Sequence, residues 1–437
     1  MGKILFTGAC IITMDEEKPE YFTGDLLIEG DRIAAVSERA GAIERPRAGR
    51  VIEGRDLLLM PGLVNTHGHA AMTLLRGYAD DLPLQEWLEE KIWPVEENLT
   101  GDDVYWGTLL AIAEMLKGGT TTFTDMYFFM ERAAEAAAEG KIRAVLSRGL
   151  IGLGEGGEKA LREAADFQRN WQGAAGGRIS VTYGPHAPYT CPPDFLRRVM
   201  DEADKTGSAL QIHVAETARE VEECKRQYGS TPVRHLHRLG LFERRVIAAH
   251  CVHLDDEDIE ILAEKKVGVA HNPGSNLKLG SGIAPAARLL DTGVTVGLGT
   301  DGASSNNNLD LLEEMRLAAL LAKGKAMEPT LIPARQALQM ATINGASLLG
   351  LADVGILKEG FKADLIALNL KEPQAAPLFD PPAHVVYAAA AADVRFAVVD
   401  GEMLVEEGRL TGLDMEKIID ECNRRAERLT GRSLKKP

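Results

Sequence analysis

The chain has 437 residues, of which 49 are Lys or Arg and 65 are Asp or Glu, for a net charge of −16. An acidic surface of this kind repels phosphate backbones and anionic headgroups, so we expect neither nucleic acid nor a membrane as a partner. The 45% hydrophobic content excludes a disordered chain. The five cysteines are scattered without a CxxC pair, which favours a reducing cytoplasm over a disulfide framework.

The two ends of the chain show β-type patterns. Residues 1–58 alternate short apolar runs with turns, which predicts a small antiparallel sheet. The same texture returns after Gly350, ahead of a charged helix at the end of the chain. We therefore expect residues 1–58 and 351–437 to build one small β-sandwich domain, with residues 59–350 forming a separate domain between them.

The central region alternates apolar strand runs with amphipathic helical stretches. The predicted strands are residues 58–66, 120–125, 141–149, 179–184, 209–214, 246–250, 268–271 and 294–299. The predicted helices include residues 102–117, 130–139, 161–171, 193–205, 231–240, 255–265, 285–292 and 309–323. Eight strands with interleaved helices over this length predict an α/β fold, a (β/α)8 barrel of the TIM type, with a doubly wound open sheet as the alternative.

Metal-ligand residue types stand where several of these strands end. His67 and His69 follow the first strand, and residues two apart in a strand point to the same side. His213, His250 and Asp301 end three later strands, and all strand ends of a barrel face the same mouth. Imidazole and carboxylate suit Zn²⁺ or Fe²⁺, so the pattern predicts a metal site. From the residues alone, His250 is either a ligand or a hydrogen-bonding partner of a bound water.

Glu216 follows His213 by three residues, which places a carboxylate at the rim of the predicted site. Such a group can accept a proton from water and return it to a leaving group or a ring nitrogen. The alternative is a solvated loop glutamate. Four other histidines stand in or beside polar segments and are interpreted as structural: His235, His237, His253 and His384.

Six segments resemble the amidohydrolase superfamily, in its branch of single-metal aminohydrolases, and within it the 5-methylthioadenosine/S-adenosylhomocysteine deaminases. They are PGLVNTHGH at 61–69, GPHAPY at 184–189, HVAET at 213–217, AAHCVHL at 248–254, HNPGSNLKL at 271–279 and GTDGASSNN at 299–307. The resemblance covers nearly the whole chain. It implies an amidohydrolase-type barrel and a homo-oligomer.

The resemblance also implies a set of roles. His67, His69, His213 and Asp301 would hold one divalent metal ion per subunit, zinc or, as the alternative, iron. His250 would orient the water, and Glu216 would shuttle the proton while Asp301 takes the proton of the attacking hydroxide. The fourth predicted strand continues without a Lys, so a two-metal site bridged by a carbamylated lysine is disfavoured.

Substrate contacts carry over from the family in the same way. Trp87 would form a pocket wall, Glu96 would accept the ribose diol, and His186 would contact the purine or the ribose. Arg148 resembles an arginine that meets the amino-acid tail of S-adenosylhomocysteine, and Ser305 would line the pocket.

One departure from the family concerns this tail. Some relatives offer a second arginine in the loop after the third strand, but residues 152–161 here read GLGEGGEKAL. The loss of one cation makes binding of a tail carboxylate less favourable, so methylthioadenosine, adenosine and 5′-deoxyadenosine become stronger candidates as substrates. Lys159 or Arg162 could replace the missing cation.

The expected activity is hydrolytic deamination of 5′-modified adenosines to the inosine analogue and ammonia, by a metal-activated hydroxide. The alternative within enzymes is a related aminohydrolase or chlorohydrolase acting on guanine, cytosine or an s-triazine. A different class of protein, a catalytically dead barrel used for assembly, should have lost ligands, and none of the expected ligands is missing from the sequence.

Overall fold

The computed structural model describes residues 2–45 and 49–434. Its strands are β1 (Lys3–Ile11), β2 (Phe22–Glu29), β3 (Arg32–Ser37), β4 (Arg50–Glu53), β5 (Leu57–Pro61), β6 (Leu63–Asn65), β7 (Thr120–Tyr127), β8 (Arg143–Leu150), β9 (Ile179–Pro185), β10 (Leu210–Val214), β11 (Val246–His250), β12 (Gly268–His271), β13 (Val296–Leu298), β14 (Leu365–Asn369), β15 (Val394–Val399), β16 (Glu402–Glu406) and β17 (Arg409–Leu410).

The α-helices are α1 (Leu84–Glu86), α2 (Trp93–Glu96), α3 (Gly101–Lys117), α4 (Met130–Gly140), α5 (Gly157–Trp171), α6 (Ala174–Gly177), α7 (Pro193–Thr206), α8 (Ala218–Tyr228), α9 (Pro232–Arg238), α10 (Asp256–Glu264), α11 (Pro273–Lys278), α12 (Ala286–Asp291), α13 (Ala303–Asn306), α14 (Leu311–Ala326), α15 (Ala334–Ala341), α16 (Ile343–Leu349), α17 (Pro381–Tyr387) and α18 (Met415–Thr430). A π-helical segment, Trp87–Ile92, joins α1 to α2. No helix within the described ranges is both long and apolar enough to cross a bilayer.

The chain forms two compact units. One comprises Met1–Asn65, Ala113–Thr122 and Asp310–Leu413, and the other comprises Thr66–Ile112, Phe123–Leu309 and Asp414–Pro437. The division at residues 58/59 and 350/351 that the sequence suggests stays a prediction.

A nine-stranded mixed sheet draws its strands from both terminal segments, in the order β17-β16-β15-β14-β5-β1-β2-β3, with β4 paired to β1. β1 is antiparallel to β2 but parallel to β4 and β5, so the sheet is mixed where the sequence pattern predicted an antiparallel one. β5 pairs with β14, which joins the two terminal segments. The rings of Phe6 and Phe396 meet edge to face, 6.0 Å between centroids, in a core that also includes Ile28 and Leu365.

The predicted barrel is confirmed as an eight-stranded sheet in the order β6 to β13. The strand pairs from β8 to β13 are parallel. Just past β6, the Thr66 amide donates to the Leu298 carbonyl in β13 at 2.8 Å, which nearly closes the sheet. The carboxyl ends of these strands therefore gather at one mouth.

One predicted strand proves to be two. The run at 58–66 divides at Gly62 into β5, which belongs to the mixed sheet, and β6, which belongs to the barrel. Gly62 donates its amide to the Asp364 carbonyl at 3.1 Å. A Cβ at this position would lie only 2.1 Å from Thr121 Oγ1, so the chain can change sheets here only with glycine.

Candidate active site

The loop after β6 aims two imidazoles into the mouth of the barrel. His69 Nδ1 lies 2.7 Å from the Met126 carbonyl, and since a carbonyl only accepts, Nδ1 donates this hydrogen bond and Nε2 is the ring nitrogen left for the site. Asp125 accepts the Ala70 amide at 3.0 Å and holds the same loop. His67 lies beside His69, with 5.0 Å between ring centroids, and is 1% exposed.

His213 and His250, at the ends of β10 and β11, have their tautomers set in the same way. His213 Nδ1 donates to the His186 carbonyl at 2.6 Å. His250 Nδ1 lies 2.8 Å from Asn276 Oδ1. His213 Nε2 then lies 3.4 Å from His69 Nε2, and His250 Nε2 lies 3.9 Å from Glu216 Oε2. Holding one ring nitrogen in this way is the usual device for orienting ligand imidazoles.

Asp301 follows β13 with a left-handed backbone, φ 61°. Its Oδ2 accepts the hydroxyls of Ser275 at 2.6 Å and Ser305 at 2.9 Å. Its Oδ1 lies 3.2 Å from His69 Nε2 and 3.5 Å from His67 Nε2. One carboxylate oxygen is thus held by hydroxyls, and the other faces the imidazoles.

These donors fit a divalent metal ion. One ligand atom from each of His67, His69 and His213 lies within 4.8 Å of the others, and the same holds for His67, His250 and Asp301. The Nε2 atoms of His69 and His213 are 3.4 Å apart. Tetrahedral nitrogen ligands at ~2.0–2.1 Å from zinc stand about 3.3 Å from one another, close to that distance. His67 Nε2 is buried with no hydrogen-bond partner among the described residues, as a ligand atom would be.

A cleft opens beside this cluster, with about 740 Å³ of empty space when the open solvent at its mouth is included. Glu216, His69, Asp301 and Ser305 line it, and so do the substrate-contact candidates Trp87, Glu96 and His186. Much of the remaining wall is apolar: Met72, Leu84, Leu88, Trp93, Phe128 and Ile151. This combination of an apolar wall with a few convergent polar groups is typical of a small-molecule site.

The two glutamates in the cleft have raised pKa values. Burial raises the pKa of Glu216, whose Oε2 lies 3.9 Å from His250 Nε2. Burial also raises the pKa of Glu96 to about 7, although Tyr127 donates its hydroxyl to Glu96 Oε1 at 2.5 Å. A carboxyl group whose pKa lies near 7, as that of Glu96 does, can hold and release a proton under physiological conditions.

Burial lowers the pKa of several imidazoles of the site, whereas the Asp301 carboxylate raises the pKa of His69 to about 9 against the effect of burial. Burial lowers the pKa of His67 to about 4 and that of His186 to about 3. His186 Nδ1 lies 2.9 Å from Thr190 Oγ1, and the His186 ring forms part of the cleft wall. His186 therefore meets a ligand as a neutral ring.

Among the candidates for contact with the substrate, the cations Arg148, Lys159 and Arg162 are not part of the cleft lining. Arg148 Nε donates to Glu163 Oε2 at 3.2 Å, and Nη1 donates to the Gly149 carbonyl. Its guanidinium carbon lies 5.1 Å from the ring centroid of Phe128, so Arg148 sits against a residue of the cleft wall. Lys159 lies at the surface, 3.8 Å from Glu163. A role for Arg148 toward a tail carboxylate stays a prediction.

Sequence reasoning missed several supporting groups. Ser275 and Asn276 belong to a quoted motif, but nothing in the sequence showed that they bond Asp301 and His250. Tyr127 sits near the end of β7 without a motif of its own. His235, interpreted as structural, stacks on Tyr228 at 3.9 Å between ring centroids and does not line the cleft.

Comparison with known proteins identifies the class. Residues 58–404 match the model of the Amidohydrolase family. The chain belongs to this family, which confirms the resemblance read from the sequence, and the family and site together define a hydrolase with a single divalent metal site.

Within that class, the chain is similar to proteins named 5-methylthioadenosine/S-adenosylhomocysteine deaminase. The one from Pelotomaculum thermopropionicum is 54% identical over 432 residues, covering 99% of this chain and 100% of the relative. The one from Dictyoglomus thermophilum is 54% identical over 387 residues, covering 89% and 91%.

Two solved structures share the fold closely. An adenosine deaminase from Xanthomonas campestris with bound zinc matches with a TM-score of 0.94 and 35% identity, covering 98% of this chain and 99% of that one. An atrazine chlorohydrolase from Arthrobacter aurescens complexed with zinc matches with a TM-score of 0.88 and 27% identity, covering 97% and 100%.

Proposed function

We propose that this protein hydrolyses 5′-modified adenosines, releasing the 6-amino group as ammonia and leaving the inosine analogue. The observation that carries the proposal is the pairing, in one cleft, of the buried Glu216 beside the imidazole and carboxylate cluster with Glu96 in the same lining. The full-length relatives named as deaminases of such nucleosides support it.

We propose zinc as the metal, held by His67, His69, His213 and Asp301. When bound, such an ion lowers the pKa of a water ligand from 15.7 toward about 7 and so supplies a nucleophile at neutral pH. The zinc in the similar adenosine deaminase and chlorohydrolase structures supports this choice over iron.

The chain's own groups then manage the protons. Asp301 Oδ1 accepts the proton of the attacking water, since Oδ2 is already engaged by two hydroxyls. Glu216, whose pKa is raised by burial, gives its proton to the purine ring nitrogen next to C6 as the oxygen adds. The tetrahedral carbon then loses its amino group, which takes the proton held by Asp301 and leaves as ammonia, while the added hydroxyl gives its proton back to Glu216 as the C6 carbonyl forms. His250, fixed by Asn276, orients the water.

The sugar and its 5′ group would occupy the rest of the cleft. Tyr127 engages one oxygen of Glu96 and leaves the other to accept the ribose hydroxyls. Trp87, Phe128 and Ile151 offer apolar surface, and Arg148 is already paired with Glu163. This favours an uncharged 5′ substituent, such as methylthio, over an amino-acid tail.

The remaining assignments complete the proposal. The acidic charge supports a small molecule as the partner in preference to nucleic acid. The five free cysteines support a cytoplasmic location, and the family resemblance supports a homo-oligomer.

The test is ammonia release from metal-analysed protein, with the matching absorbance change, on adenosine, 5′-methylthioadenosine, S-adenosylhomocysteine, 5′-deoxyadenosine, guanine, cytosine and an s-triazine. We expect turnover of the 5′-modified adenosines, fastest for the uncharged ones, with about one zinc per chain. Turnover confined to guanine, cytosine or the s-triazine would refute the nucleoside assignment while keeping the metal site.

A further inference from the structure

A second buried glutamate lies directly behind Glu216. Glu220 stands in the first turn of α8 and is 4% exposed. Its Oε1 accepts the Ala215 amide at 2.9 Å, and its Oε2 accepts the Glu216 amide at 2.8 Å. Its own amide donates to Thr217 Oγ1 at 3.1 Å, which caps the helix. One carboxylate therefore holds the two successive amides that lead into the Glu216 side chain.

The backbone at Ala215 has an unfavourable conformation that these hydrogen bonds stabilise. Ala215 has φ 52°, a left-handed conformation that costs a non-glycine residue about 1–2 kcal/mol. Its carbonyl accepts the amides of Val252 at 3.0 Å and His253 at 2.9 Å, so the peptide unit is fixed on both faces. Successive amides that point to one side form a concave anion site, and here the anion is the Glu220 carboxylate.

Glu220 does not line the cleft, so it cannot exchange protons with a bound nucleoside directly. It can accept both amides only as a carboxylate, because an amide side chain has one oxygen and would set its NH₂ group against the second N–H. Burial raises the pKa of Glu220 to about 7, and the hydrogen bonds from the two backbone amides oppose this shift because they favour the ionised form.

We propose that Glu220 is a positioning residue for the deamination, fixing the Ala215–Glu216 backbone so that the Glu216 carboxyl group points into the cleft. This inference rests on the proposed function for its kinetic part and on the backbone geometry for its structural part. The direction of the Glu216 side chain depends on the orientation of the Ala215–Glu216 peptide, and the Glu220 carboxylate fixes that orientation through its two hydrogen bonds.

The first experiment compares Glu220→Gln with Glu223→Gln, a matched change on the exposed side of the same helix, where Glu223 pairs with Arg219 at 2.8 Å. For Glu220→Gln we expect kcat on 5′-methylthioadenosine to fall about 100-fold, the magnitude of a misplacement of about 1 Å. The KM should change less than about threefold and the metal content should stay unchanged. Glu223→Gln should match the wild type.

The second experiment separates positioning from general support of the fold. If Glu220 acts through Glu216, adding Glu220→Gln to Glu216→Gln should lower kcat by less than about twofold more. Should Glu220→Gln not fold, Glu220→Asp serves instead. Its shorter carboxylate should lower kcat about tenfold with an unchanged KM. A wild-type kcat in either variant, or a full additional loss in the double variant, would overturn the inference.

Hydrogen exchange at the Ala215 and Glu216 amides gives a readout that needs no substrate. In the wild type these amides should be protected, and in Glu220→Gln they should exchange at least about tenfold faster, whereas Glu223→Gln leaves them unchanged. Loss of protection in a protein that deaminates no adenosine would refute the proposed function and support the structural part. Unchanged protection in Glu220→Gln would overturn the inference whatever the activity.

Discussion

Glu96→Gln should make the protein more stable and less active at once. Glu96 is a partly buried carboxyl group in the cleft, and burial raises its pKa to about 7 from an ordinary value of 4.5. The neutral amide of Gln has nearly the same shape, carries no charge to desolvate, and can still accept the Tyr127 hydroxyl. It also introduces an NH₂ group where two ribose hydroxyls would otherwise donate.

The size and sign of the stability effect follow from this pKa. Because the folded-state pKa is raised, the folded protein binds more protons than the unfolded chain between pH 4.5 and about 7, and wild-type stability falls over that window as the pH rises. At about 1.4 kcal/mol per unit, the loss reaches up to about 3 kcal/mol. Gln removes this loss, so the variant should gain stability above pH 7 and gain none below pH 4.5.

Thermal unfolding of the holoenzyme from pH 5 to pH 8 measures the effect. We expect the Tm of Glu96→Gln to exceed the wild-type Tm by a margin that grows with pH and reaches roughly 3–6 °C. Glu97→Gln, the exposed neighbour, is the matched control and should show no such trend.

Activity provides the second half of the same prediction. The kcat/KM for adenosine should fall about 10- to 100-fold, because hydrogen bonds to a charged group contribute about 1.5–3 kcal/mol. The kcat/KM for 2′,3′-dideoxyadenosine, which lacks both hydroxyls, should change less than about threefold. An equal loss on both nucleosides, or a margin in Tm that does not depend on pH, would refute the reasoning.

The remaining predictions concern the metal cluster and the 5′ end of the cleft. Asp301→Ala should lose the metal in elemental analysis, and a variant that retains a full complement would show that this carboxylate is not a necessary ligand. Glu216→Gln should keep the metal and lose about 10³-fold in kcat, so an active variant would remove its role as the proton shuttle. Ser305→Ala should weaken metal retention against a chelator about tenfold, because the Asp301 carboxylate loses a hydroxyl partner. Glu163→Gln should free Arg148 and raise kcat/KM for S-adenosylhomocysteine relative to 5′-methylthioadenosine about tenfold, and an unchanged ratio would count against Arg148 as a reader of the tail.

The barrel strands could be predicted because each is a short apolar run bounded by turns. The division at Gly62 could not, since it depends on Asp364 and Thr121, which are distant in sequence. Helix α8 was also missed. Its buried apolar residues are only Val221 and Cys224, too few to show a helical period, although Thr217 and Glu220 have the spacing of a helix-capping sequence.

The candidate metal ligands were visible in the sequence because the barrel converts strand ends into neighbours, so residue type and position in a strand were enough. The groups that orient those ligands were not visible. The Ser275 hydroxyl bonds Asp301, and Tyr127 bonds Glu96, across sequence separations of 26 and 31 residues. Such contacts depend on side-chain directions, which no periodicity encodes. A motif therefore indicates the candidate ligands of a site, whereas the groups that orient those ligands become visible only in the structure.

Several unfavourable features lie near the carboxyl ends of the barrel strands. Ala215, His250 and Cys251 adopt left-handed backbone conformations at the end of a barrel strand or directly after it, and Asp301 does so three residues after β13. Glu216 lies buried among the same residues. Each of these features destabilises the folded chain by about 1–3 kcal/mol, so the apolar barrel around them must supply the compensation. Strain and buried charge at one mouth are expected where geometry serves chemistry, and replacing such a group should trade activity for stability.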